Sequence, residues 1–348
     1  MIAQIKAASW KVLAGLYRTS GLRRIRHPGR AAILTYHRVV SDGMLQEGGI
    51  QAGMYVRRST FDAHLAYLRA HFQVVSLEFL LDVWKAGELD GAKSYCAITF
   101  DDGWRDNFQE AFPLLKKHGV PATIFLTTDY IGTEQWFWPD QVIFLLERVQ
   151  DRPLAARVAA GKVLQEALGL SAMTEDGRYR DVDPNDLYDH DAIVELCKQK
   201  DVETIRVFIE KLSRAVEVGV PARRVLLTWD EVREMASCGV SFGSHSSSHR
   251  ILTRIPTADA RHELTGSWTA LVKEGIKPIP VFCYPNGNYN PEVQALVKES
   301  GYLAATSCDS GLEGRTPKDL YALRRITMHE GLASSPSLFR LSLSGLRP

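Results

Sequence analysis

Two adjacent carboxylates, Asp101 and Asp102, directly follow an apolar run at residues 94–100 that predicts a buried strand. Successive side chains of a strand point to opposite sides, so one carboxylate could bind a metal while the other reaches a water molecule beside it. An Asp-Asp-Gly turn without function is also common in loops. The pair therefore indicates metal or acid–base chemistry only if further ligands accompany it.

Two histidines separated by three serines, His245 and His249, follow a second predicted strand at residues 240–244. On one helical turn, residues four apart project from the same face and can share a metal ion, although such a pair alone is more often structural. One carboxylate and two imidazoles leave coordination positions open. They suit a divalent metal, with zinc expected first and cobalt, manganese, iron or nickel as alternatives. Such a metal lowers the pKa of bound water towards about 7 and polarises a carbonyl oxygen.

These groups need a scaffold that brings the ends of strands together. Short apolar runs alternate with helical patterns about seven times along the chain, which predicts an α/β fold with largely parallel strands. That number of repeats favours a barrel, and catalytic groups of barrels gather at the carboxyl ends of the strands. At the start of one helix, Thr228 and Glu231 have the spacing of a capping box.

The patterns also predict where the chain divides. The barrel is expected at residues 31–135 and 225–335, and residues 136–224 are expected to form a helical insertion because strand signals are few there. Residues 336–348 are predicted to be a C-terminal tail. Residues 1–30 combine apolar positions at helical spacing with a basic cluster. This amphipathic segment could lie on an anionic membrane surface, or it could pack on the domain.

Together these residues resemble the polysaccharide deacetylase family (carbohydrate esterase family four, the NodB-homology domain). The first family motif is matched by TFDDG at Thr99–Gly103, and the second by His-Ser-x-x-His at His245–His249. The resemblance implies a distorted (β/α)7 barrel. It also implies that Asp101 is the general base and that Asp102 binds the metal together with the two histidines.

The third family motif, Arg-x-Pro-x-Gly, is only partly present. This chain has Cys283-Tyr284-Pro285-Asn286-Gly287, which is similar to the exopolysaccharide-type branch of the family. Pro285 and Gly287 are therefore expected to keep the shape of a substrate-binding loop, and the Tyr284 amide is a candidate oxyanion donor. The arginine that would orient the base is absent, so its orientation must come from elsewhere in the chain.

The remaining candidate residues rest on weaker signals. The family has its general acid near the last strand, where this chain has His329, although the local pattern differs. His37 ends the first predicted strand and could contact substrate or be structural. Trp104, Trp138 and Asp140 could line a sugar-binding rim, and core packing is the alternative for the aromatic residues.

The composition restricts the classes of partner and compartment. Lys and Arg number 42 against 41 Asp and Glu, so no strong basic field is present to bind nucleic acid. Five scattered cysteines without a paired framework favour a reducing, cytoplasmic location, with the inner membrane face as an option through residues 1–30. No stretch approaches the roughly 20 apolar residues of a spanning helix.

The sequence thus predicts a metal-dependent hydrolase that removes N-acetyl groups from an N-acetylhexosamine polysaccharide or its lipid-linked precursor. The expected partner is an acetylated amino-sugar polymer or glycolipid. Two alternatives remain open, a non-catalytic glycan-binding module on the same fold and an O-acetyl sugar esterase. The sequence does not indicate the polymer or the oligomeric state.

Overall fold

The structure is a computed structural model that describes residues 27–169 and 190–344. Within these residues the chain forms two compact units. The barrel unit comprises residues 27–41, 52–134 and 224–344, and the helical unit comprises residues 42–51, 135–169 and 190–223. Most of the predicted amphipathic segment at residues 1–30 lies outside the described residues. No helix among the described residues is long and apolar enough to span a bilayer.

Parallel strands form the core of the barrel unit. Their bounds are β1 (Arg30–Tyr36), β4 (Gln73–Val74), β5 (Ser94–Phe100), β6 (Ala122–Leu126), β7 (Val240–Ser244), β8 (Val281–Cys283), β9 (Ala304–Ser310) and β10 (Leu323–Thr327). Among the described residues, seven of these strands close into a barrel in the order β1-β10-β9-β8-β7-β6-β5, because β1 also pairs with β5. β4 adds a short pairing to β5. The predicted (β/α)7 barrel is therefore confirmed.

The barrel strands are largely buried because both of their faces are covered. In β1, all residues from Ala31 to Tyr36 are buried, and Tyr36 pairs in register with Phe100 at the end of β5. All pairings in the barrel are parallel, so the carboxyl ends of the strands lie on one rim. Two further strands, β2 (Arg38–Val40) and β3 (Tyr55–Arg57), pair separately from the barrel.

Helices alternate with the strands of this unit. They are α2 (Arg58–His71), α3 (Leu77–Ala86), α4 (Phe112–His118), α9 (Trp229–Ser237), α10 (Thr257–Lys273), α11 (Pro291–Glu299), α12 (Glu330–Ala333) and α13 (Pro336–Leu343). The predicted capping box of α9 is confirmed, since the Glu231 N–H donates to Thr228 Oγ1 at 3.1 Å and the Thr228 N–H donates to Glu231 Oε2 at 2.8 Å.

The helical unit contains α1 (Asp42–Glu47), α5 (Trp138–Val149), α6 (Leu154–Leu168), α7 (His190–Cys197) and α8 (Val202–Val216). Residues 42–51 belong to this unit, so their predicted place in the barrel is wrong. Two hydrogen bonds hold them to α5. The Gly49 N–H donates to Glu147 Oε2 at 2.6 Å, and Arg148 Nη2 donates to the Glu47 carbonyl oxygen at 2.9 Å.

The described part of the predicted C-terminal tail is instead helix α13, which packs on the barrel unit. Its Phe339 ring stacks on the imidazole of His64 from α2, with ring centroids 3.7 Å apart. His64 Nε2 donates to the Ala333 carbonyl oxygen at 2.8 Å, so its neutral Nδ1 accepts from the Tyr36 hydroxyl at 3.1 Å. This buried imidazole therefore connects β1, α2 and the C-terminal helices.

The neutral form of His64 is required by this arrangement. Burial lowers the pKa of His64 to about 4, against which the hydrogen bond to the Ala333 carbonyl acts only in part. As the pH falls from 6.5 to about 4, the unfolded chain takes up this proton before the folded chain does. We expect His64 to lower the free energy of unfolding by roughly 3 kcal/mol over that range.

Urea unfolding measured from pH 8 to pH 4 tests this expectation. The free energy of unfolding of His64→Gln should depend less on pH than that of the unmodified protein. The same substitution at the exposed His71 should leave the pH dependence unchanged. Equal pH dependence in the two variants would contradict it.

Candidate active site

Asp101 and Asp102 lie at the carboxyl end of β5, where the backbone turns. The Asp101 N–H still donates to the Tyr36 carbonyl oxygen at 3.0 Å and so continues the pairing with β1. Asp102 then adopts a left-handed conformation with φ 77°, and Gly103 follows with φ 86°. A Cβ on Gly103 would approach Leu126 Cδ2 to 2.7 Å. This sharp turn, more than strand alternation alone, directs the two carboxylates to different places.

The loop after β7 brings the two histidines together, but not as a helical turn. Residues 245–250 are irregular, with Ser246 at φ 67° and His249 at φ 63°. Ser246 Oγ accepts from the His249 N–H at 2.9 Å, which closes the loop. The predicted helical geometry is therefore wrong, whereas the predicted convergence is present.

The two imidazoles meet the Asp102 carboxylate at the barrel rim. His245 Nε2 and His249 Nε2 each lie 3.3 Å from Asp102 Oδ1. The His245 Nδ1–H donates to the Cys283 carbonyl oxygen at 2.8 Å, so Nε2 is the ring nitrogen that faces Asp102. Burial would raise the pKa of Asp102, but both imidazoles hold it well below its usual range. One ionised carboxylate and two ring nitrogens within 4.8 Å form a donor set that fits a divalent transition metal.

A second group of possible donors overlaps this one. Asp101, His245 and Cys283 also have ligand atoms within 4.8 Å of one another. Both Asp101 oxygens, however, accept hydrogen bonds from the guanidinium of Arg325. A cation at this position repels a metal ion, so the group around Asp102 is the better site.

A glutamate on α10 holds the loop that carries His249. Glu263 Oε2 accepts from the Ser248 N–H at 2.8 Å, and Oε1 accepts from the Ser248 hydroxyl. Glu263 is buried, with 5% of its surface exposed. Glu263 was not among the residues predicted from the sequence. The signal in the sequence was a charged residue directly before Leu264, on the side of the helix that is buried.

Arg325 on β10 provides the orientation of the base that the incomplete third motif lacks. Its Nη1 donates to Asp101 Oδ1 at 2.7 Å and its Nη2 donates to Oδ2 at 2.8 Å, while Nε donates to the Ser307 carbonyl at 3.0 Å. Burial would raise the pKa of Asp101, but Arg325 keeps it below its usual range. Arg325 was not among the predicted residues either, although an arginine within a buried strand requires a buried partner.

The structure places His37 beside the base. His37 Nε2 lies 3.9 Å from Asp101 Oδ2, and Nδ1 is buried without a hydrogen-bond partner among the described residues. Burial lowers the pKa of His37, with the two aspartates acting in the opposite direction. His329 lies beyond the end of β10, at the residue before α12. Its role as an acid stays a prediction.

Trp104 and the loop after β8 have structural contacts that the sequence did not reveal. Trp104 is 1% exposed, and its indole N–H donates to Asp102 Oδ2 at 2.9 Å. The Tyr284 N–H donates to the Thr306 carbonyl oxygen at 3.2 Å, which extends the β8–β9 pairing. The prediction that the Tyr284 amide binds an oxyanion is therefore wrong.

The Pro285–Gly287 turn keeps its shape through glycine. Gly287 has φ 72°, and a Cβ there would clash with the side chain of Cys308 on β9.

In the helical unit, Asp140 is buried at the start of α5 and Trp138 is half-buried. The substrate-binding roles of Pro285, Gly287, Trp138 and Asp140 stay predictions.

The carboxylates and imidazoles lie at the carboxyl ends of the barrel strands, which is where barrel enzymes have their catalytic groups. In sequence, residues 89–158 and 181–305, more than half of the chain, match the family described as polysaccharide deacetylase. The chain belongs to the polysaccharide deacetylase family, whose members act on acetylated polysaccharide, and it is accordingly a hydrolase of the deacetylase class.

Three known proteins are similar to this chain. YxkH of Bacillus subtilis (strain 168), assigned by its name to the polysaccharide deacetylases, is 20% identical over 317 residues, 91% of this chain and 78% of YxkH. The poly-beta-1,6-N-acetyl-D-glucosamine N-deacetylase of Staphylococcus aureus (strain NCTC 8325 / PS 47) is 31% identical over 88 residues, 25% of this chain and 30% of that enzyme. The deacetylase PplD of Streptococcus pyogenes, solved with acetate, has a TM-score of 0.56 at 18% identity and covers 92% of this chain and 100% of its own.

The ion pair of Asp101 and Arg325 is expected to be strongly coupled because both groups are buried. Arg325→Ala leaves an uncompensated buried carboxylate, which should lower the free energy of unfolding by about 3–5 kcal/mol. Adding Asp101→Asn to that variant should restore part of the loss, since the amide carries no charge. The measurement is urea unfolding of the two single variants and the double variant.

The exposed pair Arg261 and Glu299 provides the matched control, with Nη2 2.8 Å from Oε2. The same cycle there should give less than about 1 kcal/mol of coupling. If the losses in free energy of unfolding from the Asp101 and Arg325 substitutions simply add, the two residues are not energetically coupled and the expectation is wrong.

Proposed function

We propose that the protein removes N-acetyl groups from an N-acetylhexosamine polysaccharide, or from its lipid-linked precursor, with a divalent metal held by Asp102, His245 and His249. The observation that carries this proposal is the position of Asp101. Arg325 holds this ionised carboxylate directly beside the three-residue donor group. The N-acetylglucosamine polymer in the name of the S. aureus relative supports the choice of substrate class.

The donor set favours zinc, with cobalt, manganese, iron or nickel as alternatives. When bound, such a metal supplies a water of lowered pKa and polarises the acetyl carbonyl. The chain's own residues must then orient the reactants and move the protons. His245 is suited to ligation because its Nδ1–H is already donated to the Cys283 carbonyl, which fixes the tautomer that leaves Nε2 free to bind.

Asp101 acts as the general base in this proposal. Each of its oxygens accepts one hydrogen bond from Arg325 and keeps a second lone pair for the proton of the attacking water. The guanidinium prevents the carboxylate from rotating. A base fixed in this way removes the proton while the water oxygen attacks the acetyl carbon, and the carbon–nitrogen bond then breaks to give acetate and a free amine.

The leaving nitrogen must receive a proton, and His37 is the histidine closest to the base. Its Nε2 lies 3.9 Å from Asp101 Oδ2, within reach of a proton passed from that carboxylate through substrate or water. We propose His37 as the group that protonates the amine and keep His329 as the alternative. Substituting His37 and His329 separately distinguishes the two assignments of the acid.

His37→Gln should lower kcat on an N-acetylglucosamine oligomer about 10²- to 10⁴-fold, because the amine is a poor leaving group without a proton. The same variant should lose much less activity on 4-nitrophenyl acetate, whose leaving group needs no proton. His329→Gln should affect the two substrates equally. A selective amide defect in His329→Gln, with none in His37→Gln, would reverse the assignment.

The function itself is tested by acetate release. We would strip the protein with a chelator, restore zinc, cobalt or manganese, and compare N-acetylglucosamine oligomers with an O-acetylated sugar. Metal-restored release from the oligomer is expected. Release only from the O-acetyl sugar would instead support an esterase, and metal binding without release from either would favour a glycan-binding module.

Two variants separate the base from the metal ligands. Asp101→Asn should abolish acetate release while metal binding measured by calorimetry remains, and His249→Ala should lose metal binding as well. Asp82→Asn, an exposed change of the same type on α3, is the matched control and should behave as the unmodified protein. Near-normal turnover in Asp101→Asn would contradict the assignment of the base.

A further inference from the structure

We propose that Trp104 is a positioning residue for the metal site, which makes Asp102 bind through one oxygen only and thereby strengthens zinc binding. This inference rests on the proposed function, since it assigns a role to Trp104 within the same site. The family motif ends at Gly103, and the next residue was expected either to line a sugar-binding rim or to pack in the core. Its contacts point to Asp102 instead.

The two oxygens of Asp102 have different surroundings. Oδ1 lies 3.3 Å from Nε2 of both His245 and His249, and Oδ2 accepts the indole N–H of Trp104 at 2.9 Å. The carboxylate is buried, so the hydrogen bond to Oδ2 is not weakened by competing water. Oδ1 is therefore the oxygen left to join the imidazole nitrogens, and Oδ2 is already occupied.

Trp104 can hold this oxygen because its own ring is fixed. The guanidinium of Arg38 stacks over the indole with its central carbon 4.3 Å from the ring centroid. Asp106 in turn accepts from Arg38 Nε at 2.8 Å and from the Val39 N–H at 3.0 Å. All three of these side chains are buried. We call Trp104, Arg38 and Asp106 the indole brace.

One-oxygen binding matters for the chemistry of the site. Catalytic zinc sites have three protein ligands and an open position for water or substrate, and sometimes expand to five-coordinate during reaction. A carboxylate that used both oxygens would occupy a position that the reacting water or the acetyl oxygen needs. The indole brace also orients Asp102 before the metal arrives, so less conformational freedom is lost on binding. Loss of hydrogen bonds of this kind typically weakens metal binding 10- to 100-fold.

The test compares two tryptophan variants of the full chain. Trp104→Phe keeps an aromatic ring beneath Arg38 but removes the N–H donor. Trp84→Phe is the matched control, because the buried Trp84 in the same unit donates its indole N–H to the Gly314 carbonyl at 3.2 Å, away from the metal ligands. Zinc affinity is measured by competition with a chromogenic chelator.

We expect Trp104→Phe to bind zinc about 10- to 100-fold more weakly than the unmodified protein, and Trp84→Phe to bind within about 3-fold of it. Equal affinities in the two variants would overturn the inference. Failure of the unmodified protein to bind zinc would instead overturn the metal site of the proposed function, so the two failures are distinguishable.

A second measurement on the unmodified protein does not depend on how a variant folds. In a nuclear magnetic resonance spectrum, the assigned indole N–H resonance of Trp104 should shift on zinc addition, because its acceptor belongs to a carboxylate that becomes a ligand. The resonance of Trp84 should stay in place. An unmoved Trp104 resonance at saturating zinc would overturn the inference.

Discussion

The buried ion pair between Asp101 and Arg325 fixes the position of the carboxylate that is proposed as the general base. Two charged groups removed from water are stable only when each satisfies the other with good geometry, and the planar guanidinium meets both carboxylate oxygens at 2.7 and 2.8 Å. Asp101 directly follows β5 and Arg325 lies on β10, and these two strands are the neighbours of β1 on its two sides. Closure of the sheet into a barrel is therefore what allows the pair to form.

The donor group beside this pair depends on backbone turns at the rim. Asp102, Ser246 and His249 all have left-handed conformations, which are unfavourable for residues with side chains and persist only where surrounding contacts fix them. Here Trp104 holds the Asp102 carboxylate, and Glu263 holds the loop between the two histidines. Precise side-chain positions at this rim are thus maintained by residues that do not themselves belong to the donor group.

The sequence was sufficient for the barrel and for the residues of the donor group. Alternating apolar runs and helical patterns reflect burial on both faces of the strands, and the motifs lie directly at strand ends. It was insufficient where a contact joins distant segments. Arg325 is 224 residues from its partner Asp101, and no local pattern specifies such a pairing. The Tyr284 amide was misassigned for the same reason, because strand pairing with Thr306 is a long-range contact.

The most direct test of the account is anomalous diffraction at the zinc absorption edge from crystals of the zinc-loaded protein. The account predicts one strong peak about 2.0–2.2 Å from Asp102 Oδ1, His245 Nε2 and His249 Nε2, with Arg325 still paired to Asp101. A peak between Asp101, His245 and Cys283, or no peak at this rim, would contradict it.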